Sequence, residues 1–571
     1  MNLLVRYLRP YFGRMCGGMV IKFIGTIMDL LLPWCRAHIV DDVIPLGNMG
    51  FILLWGGLMA VFSVIALLGN VIANRMASKV ARNTTETIRR DLFAKTLSLS
   101  CAQSDRFTIP SLISRLTSDT YNVHSMVGMM QRLGIRAPIL LLGGIIVTLT
   151  LEPVLALILI ACLPAMAAVI VTVSRKGIPL YTNLQQGVDK LLRTVRENVT
   201  GIRVVKALSK TEYEKRRFDG VNADVSTRER KAGLTMAVTN PTMNLFLNLG
   251  MIAIILVGAY RVNGGLSRPG KIIAFLNYFT IILNAILSIN RMFVMYSKAI
   301  ASANRIDEVL QTSSDLPPRR SEPAKEEAHI VFDHVSFSYL KKEANLIDIN
   351  FSLKRGETLG IIGATGSGKS TVVSLLMRLY EADSGSIRVS GVNVNAIPPE
   401  ILHSLFGVTF QHDVLFADTV RENIAFGREL SEETFRQAAE DAQAAEFLDS
   451  LPDGMDHLLT IKGSNLSGGQ KQRLLIARAL AGNPEILILD DSSSALDYKT
   501  DAKLRKAIAE RLQNTTSIII AQRVSSILHA DHILVLEDGR SIGYGTHEEL
   551  LKTCPTYREI SESQMGGGAV A

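Results

Sequence analysis

Cysteine is scarce in this chain. Its five cysteines (Cys16, Cys35, Cys101, Cys162 and Cys554) lie among 571 residues with no C-x-x-C pair and no even framework. That excludes a disulfide scaffold, and the thiols read as small apolar residues in a reducing or membrane setting. A basic stripe interleaved with aromatics is also missing, so the net charge of +8 is not a nucleic-acid footprint. A cleavable leader is not evident either. The apolar stretch after Arg14 runs to about Val40 without a small-residue cleavage site. The basic, aromatic start Met1–Arg14 is therefore expected to form an interfacial helix leading into a retained first span. Lys and Arg are absent from the segment 41–48 and from the Glu152-Pro153 turn.

Apolar residues are abundant and unevenly spread. Hydrophobic content is 48%, and mean hydropathy is positive at +0.24. Long apolar runs fill residues 15–300, and the remainder has a globular mixture. Six runs, at about 15–40, 51–75, 123–150, 153–174, 240–262 and 270–297, meet the length of roughly 20 residues needed to cross hydrocarbon. The segments 75–136 and 175–231 are rich in Lys and Arg, which places them and both termini in the cytoplasm. Arg261 and Arg268 flank the third outer loop against that rule. The second to fifth spans are expected to continue as helices beyond the bilayer. Within the cytoplasmic segments, 104–110 and 206–213 read either as solvated turns or as contacts to the soluble domain. Asp29, near the middle of the first span, reads equally as a substrate contact and as a structural partner for an Asn or for Lys22. Pro33, Pro138, Pro164 and Pro241 are candidates for helix bends. The polar, proline-bearing stretch 311–328 is the expected linker. The division is thus 1–310 for the membrane domain, 311–328 for the linker and 329–571 for a soluble domain.

The soluble half carries the chemistry. Gly363-Ala-Thr365-Gly366-Ser367-Gly368-Lys369-Ser370 has the form G-x-x-x-x-G-K-[ST]. It follows the apolar run 359–362 and opens a helix-like stretch beginning at Thr371, the context of a phosphate-binding loop. Glycines let successive N–H groups turn inward, and the helix N-terminus adds partial positive charge. Lys369 is placed to reach the β- and γ-phosphates, and the Ser370 hydroxyl to ligate Mg²⁺. Tyr339, about two dozen residues upstream, is a candidate to stack on an adenine ring. Gln411 follows a strand-like run and is a candidate to touch Mg²⁺ or water. Ser467-Gly468-Gly469-Gln470 opens a second helix as a further anion-binding terminus, which suggests binding in trans across a dimer. The buried run 486–489 ends in Asp490, suited to hold Mg²⁺ through water, and Asp497 follows. The run 517–521 ends in Gln522.

The order of phosphate loop, Gln411, Leu466-Ser-Gly-Gly-Gln470, Asp490 and Asp497 resembles the ATPase domain of ATP-binding-cassette (ABC) transporters. Six spans ahead of it resemble an ABC exporter half-transporter, and the resemblance covers essentially the whole chain. It implies an α-helical membrane domain of six transmembrane helices with long cytoplasmic extensions, plus an α/β P-loop ATPase domain with a helical subdomain. It implies ATP and Mg²⁺ as cofactors, and two halves sandwiching two ATPs between one phosphate loop and the other signature, with Asp497 in the D-loop. It implies coupling helices near 104–110 and 206–213. Two departures stand out. Where family members that hydrolyse well carry Glu after the Walker B Asp, this chain has Asp491. Where they carry a switch His, it has Gln522. A base must sit within about 2.6–3.2 Å of the attacking water, and Asp is one methylene shorter than Glu. Gln522 is neutral and lacks the tunable charge of imidazole. Ile461 also stands where the family often has Glu. The pair Asp491 and Gln522 resembles the degenerate-site subunit of a heterodimeric bacterial multidrug exporter. Such a subunit would export small amphipathic or drug-like molecules across the cytoplasmic membrane, beside a different half-transporter with a competent site. The alternatives are a homodimeric lipid or peptide exporter and an ATP-gated, non-hydrolysing switch. The absence of a peptidase-like domain ahead of the spans weighs against peptide processing.

Overall fold

In hydrocarbon, where no water can bond the backbone, apolar runs of this length satisfy their own N–H and C=O groups by forming helices. The computed structural model describes residues 2–313, 316, 327–339, 341, 343–492 and 494–565, with no side-chain description at Asn2, Ser174 and Met565. Most of the expected linker 311–328 lies outside the described residues. Among the described residues, twelve α-helices build the first half: α1 Asn2–Leu8, α2 Phe12–His38, α3 Met49–Leu97, α4 Cys101–Phe107, α5 Ile109–Ser114, α6 Thr120–Leu133, α7 Arg136–Leu151, α8 Pro153–Thr200, α9 Ile202–Ala207, α10 Thr211–Ala237, α11 Thr239–Asn263 and α12 Pro269–Leu310. Among the described residues, six helical stretches of 42 to 53 residues are long and apolar enough to cross a membrane. At 1.5 Å per residue, the 48 residues of α8 reach roughly 72 Å, well over twice the ~30 Å hydrocarbon core. Large apolar side chains such as Leu53, Leu54, Leu67 and Leu256 stay more than three-fifths exposed on these helices, as a lipid solvent allows. The chain divides into two compact units, one of residues 1–97 with 110–312 and the other of 98–109 with 313–571.

Close backbone approach and charge pairing hold the first unit together. A Cβ added to Gly69 of α3 would sit 3.3 Å from the Ile21 carbonyl oxygen of α2, so small residues let these helices nearly touch. Phe275, Phe279 and Ile282 of α12 bury themselves against Leu155 and Leu159 of α8 and Ile254 of α11. The two cations that break the charge rule both have acids. Arg261 pairs with the buried Glu152 at 2.7 Å, and Arg268 pairs with Asp42. Asp41 accepts hydrogen bonds from the backbone N–H groups of Gly270 and Lys271 at 2.6 and 3.0 Å, at the start of α12. Asp29 bonds Arg136 at 3.1 Å and Asn70 at 3.4 Å, whereas Lys22 donates to Asn74. Pro33 and Pro164 lie inside helices, as does Pro179, which the sequence pattern did not flag.

Among the described residues, ten strands lie in the second unit: β1 Ile330–Phe337, β2 Leu346–Leu353, β3 Thr358–Gly363, β4 Ser384–Val389, β5 Val392–Asn393, β6 Phe406–Thr409, β7 Ile486–Asp490, β8 Thr516–Ile520, β9 His532–Glu537 and β10 Arg540–Gly545. One sheet has the order β2-β1-β4-β5 and is antiparallel. The other has the order β10-β9-β3-β8-β7-β6, parallel except for β10. Every residue of β7 is buried, as a strand covered on both faces requires. Parallel β3, β8, β7 and β6 place their carboxyl ends side by side, which brings segments up to about 150 residues apart to one edge. A separate helical core packs Phe435, Phe447, Leu474 and Leu475 together. Segment 98–109 joins this unit through Gln103, which donates to the Ser313 carbonyl at 2.7 Å, and through Asp105, which accepts from the Tyr380 hydroxyl at 2.6 Å.

His329, just ahead of β1, ties this unit to pH. It is 4% exposed, and its Nδ1 meets the Thr516 hydroxyl at 2.7 Å. Burial, helped by Arg355, holds its pKa below the usual histidine value. The unfolded chain therefore takes up a proton near pH 6.5 that the folded chain refuses. Stability from this group is complete above pH 6.5 and lost as pH falls, at up to about 1.4 kcal/mol per pH unit until the folded pKa is reached. The thermal midpoint of the detergent-solubilised full chain should drop between pH 7.5 and 5.5, and drop less in His329→Gln. Equal slopes in the two proteins would remove His329 as the cause.

Candidate nucleotide site

The loop after β3 is shaped by its glycines. Gly366 and Gly368 adopt left-handed φ values of 87° and 97°. A side chain on Gly368 would lie 2.6 Å from Leu346 Cδ2, and one on Gly363 would collide with the Leu536 carbonyl oxygen. The loop therefore lies against β2 and β9 and leaves its inner face clear. The helix Lys369–Leu376 begins directly behind it. Lys369 Nζ donates to the carbonyl oxygens of Gly363 and Ala364 at 2.9 and 2.8 Å, so the ammonium bridges the loop mouth. Burial pulls its pKa down, against the pull of Asp490 and Asp491. The buried Ser367 hydroxyl has no partner among the described residues.

A cavity of about 270 Å³ opens in front of the loop. Asn345, Thr365, Gly366, Gly368, Lys369, Ser370, Thr371, Gln411, Asp490, Asp491, Ile520 and Gln522 line it. Strand order explains the set: the loop follows β3, Gln522 follows β8, Asp490 ends β7 and Gln411 follows β6. Asp490 is 4% exposed, and burial raises its carboxyl pKa, while a hydrogen bond from Ser370 opposes the rise. Among the described residues no cluster of His, Cys, Asp and Glu could hold a metal alone. Ser370, Gln411 and Asp490 nevertheless bring a hydroxyl, an amide and a carboxylate together, hard oxygen donors that suit Mg²⁺ completed by water and phosphate. Asp491 stands at φ 50°, a left-handed conformation that Asp tolerates better than most residues. Its carboxylate accepts a hydrogen bond from Gln522 Nε2 at 2.8 Å. Burial raises the Asp491 pKa, and the bonds from Gln522 and Gln411 partly offset that.

Tyr339 stands at the edge of this region. Its hydroxyl meets Thr371 Oγ1 at 3.3 Å, its ring abuts Phe337 and Tyr380 edge-on, and it remains 43% exposed. The sequence motifs missed Asn345, whose side chain accepts from the Tyr339 N–H at 3.0 Å. No motif surrounds Asn345, and only the path of the chain brings it to the loop.

Ser467, Gly468, Gly469 and Gln470 do not line the cavity. Ser467 caps the helix Gly468–Leu480, its hydroxyl accepting from the Gln470 N–H at 3.3 Å while Gln470 Oε1 accepts from the Ser467 N–H at 2.9 Å. A Cβ on Gly469 would lie 3.2 Å from the Ala495 carbonyl oxygen. Asp497 caps the helix Tyr498–Arg511, and bonds from Thr500 hold its carboxyl below the usual range. Ile461 is 75% exposed and begins a short turn.

A phosphate-loop cavity at the carboxyl edge of a parallel sheet, in a chain with six membrane-length helices, defines a membrane-embedded nucleotide-driven transporter. Residues 15–286 match the ABC transporter transmembrane region, and residues 346–494 match the ABC transporter domain. The ABC transporter ATP-binding protein YfiB of Bacillus subtilis, itself uncharacterized, is 36% identical over 99% of both chains. An uncharacterized ABC transporter ATP-binding protein of Mycobacterium tuberculosis is 33% identical over 98% of both. A bacterial Atm1-family ABC exporter with ATP bound has the same fold, with a TM-score of 0.83 and 24% identity over 98% of this chain and 99% of that one. The chain belongs to the ABC transporter family. It is a multi-pass membrane protein that fuses the transmembrane and ATP-binding domains of a half-transporter, and the second domain implies ATP binding coupled to transport.

Proposed function

We propose that this chain is the hydrolysis-impaired half of a heterodimeric exporter in a bacterial cytoplasmic membrane, with both termini cytoplasmic. Its cargo is small amphipathic or drug-like molecules, and its partner is a different half-transporter with a competent site. The division into 1–310, 311–328 and 329–571 belongs to the same reading. The single observation that carries it is the hydrogen bond from Gln522 to Asp491. A short carboxylate stands where a general base would be needed, and a neutral amide already occupies it. The loop, the other cavity residues and Tyr339 at the edge of this region keep what binding requires. Gly363, Thr365, Gly366, Ser367, Gly368, Lys369 and Thr371 cradle the phosphates, Tyr339 stacks on the base, and Ser370, Gln411 and Asp490 hold Mg²⁺. When bound, Mg²⁺ neutralises phosphate charge. Ser467, Gly468, Gly469 and Gln470 lie away from this cavity, so they serve the partner's nucleotide, and Asp497 orders the helix that follows the D-loop. Outward positive charge is offset by Glu152 and Asp42, which agrees with the orientation proposed.

Nucleotide trapping tests this reading. The assembled transporter should keep ATP at the Lys369 site after the partner site has turned over once. ADP appearing first at the Lys369 site would contradict the assignment. Purification from the native host should also bring a second half-transporter of similar size; a chain that is alone and rapidly hydrolysing as a homodimer would overturn it.

A further inference from the structure

The third span is interrupted at Gly134-Ile135, beside Arg136, which pairs with Asp29 of α2. α6 ends at Leu133 and α7 begins at Arg136; Gly134 and Ile135 between them keep right-handed helical angles, and Pro138 has no N–H to give to the Gly134 carbonyl. Arg132 and Arg136 flank this break. Lys22 of α2 is 2% exposed, and its ammonium has Asn74 as its hydrogen-bond partner, a neutral amide at 3.0 Å. Arg136, Asp29 and Arg132 all lie within electrostatic reach of Lys22. Arg136 bonds Asp29 at 3.1 Å, while its Nε is buried without a partner among the described residues. Asn70 Oδ1 is likewise buried and unpartnered. Arg132 Nε donates to the Gly128 carbonyl of its own helix at 3.0 Å, so Arg136 alone is paired with Asp29 and the charges of Lys22 and Arg132 are left without a carboxylate of their own among the described residues. Buried ionisable groups there are costly and ordinarily meet a counter-charge. The Arg136 side chain is 40% exposed and Asp29 is 23% exposed, so the cluster can be reached.

We propose that Lys22, Arg132 and Arg136, at the break in the third span, form a binding subsite for an anionic group, a carboxylate or a phosphate. Asp29 holds Arg136 in place and limits the affinity, so that an arriving anion competes with it. The group can come from a transported molecule or from an anionic lipid headgroup. Direct binding is the readout, so the result does not depend on ATP turnover or on the identity of the partner half.

The test uses the purified full chain in neutral detergent with two probes. Carboxyfluorescein, read by anisotropy, stands for a soluble anion; phosphatidylglycerol, read by native mass spectrometry against phosphatidylcholine, stands for a lipid. Wild type should bind at least one probe, and which one identifies the source. Lys22→Met and Arg136→Gln should weaken that binding at least tenfold. Arg132→Gln, at an exposed position, should weaken it severalfold without touching a buried pair. Asp29→Asn should strengthen it severalfold, a sign that misfolding cannot produce. Binding of neither probe, affinities unchanged across the variants, or weakening in Asp29→Asn would overturn the proposal.

Discussion

Gly469→Asp should lower ATP turnover of the assembled transporter by at least about 10²–10³-fold, the usual loss when one preorganised charge stabiliser fails at a reacting phosphate. Lys369→Ala should lower it far less. The difference follows from the division of labour between the two ATP sites. Lys369 bridges the mouth of this chain's own loop, in front of a carboxylate already tied to Gln522. Losing it weakens binding where little turnover takes place, and the effect stays above zero because coupled sites share an interface. Gly469 lies outside that cavity, on the helix whose N-terminus would cap the partner's ATP. An aspartate there brings negative charge toward a γ-phosphate. It also crowds the Ala495 carbonyl, which a bare Cβ would already approach to 3.2 Å. Ser467→Ala separates these causes. It costs the helix cap about 1 kcal/mol, adds no bulk, and should still slow turnover measurably. ATP turnover and dye efflux, measured with the partner chain present, decide the matter. If Lys369→Ala stops turnover as completely as Gly469→Asp, this chain is not the degenerate-site half.

What the sequence made legible was local. The phosphate loop announces itself because glycine positions, Lys369 and the strand before them are consecutive, and backbone geometry dictates their spacing. The six spans are legible because hydrocarbon thickness sets a minimum length. The hidden features are pairings across distance. Asp29 gives no hint in sequence that its cation is Arg136 rather than Lys22, because the choice depends on how α2 and α7 cross. Arg261 looked like a violation of the charge rule until the fold placed Glu152 beside it. Asn345 has no motif around it, and the turn between β1 and β2 alone brings it to the loop. The bond between Gln522 and Asp491 was equally invisible. Both residues could be suspected from their positions at strand ends, yet only adjacent β7 and β8 make one the partner of the other.

Asp491→Glu together with Gln522→His should convert the Lys369 site from a holding site into a turning-over one, by about 10²-fold or more, since a positioned general base contributes 10²–10⁴-fold. The single Asp491→Glu should gain much less. The extra methylene carries the carboxylate toward the phosphates, but the Gln522 amide remains within reach and competes with water for it. Gln522→His alone should gain little as well, because the short carboxylate still falls back from the reacting atoms. The gain is thus non-additive, as expected for groups that act as a unit. A cost comes with it. Position 491 holds φ 50°, where glutamate is less at ease than aspartate, so the Glu variants should lose about 1 kcal/mol of stability. Nucleotide trapping reads the outcome at the right site: ADP should replace ATP at Lys369 in the double variant and not in either single one. If the double variant still retains ATP there, with the partner site working normally, the block lies elsewhere in the site than the Asp491–Gln522 pair.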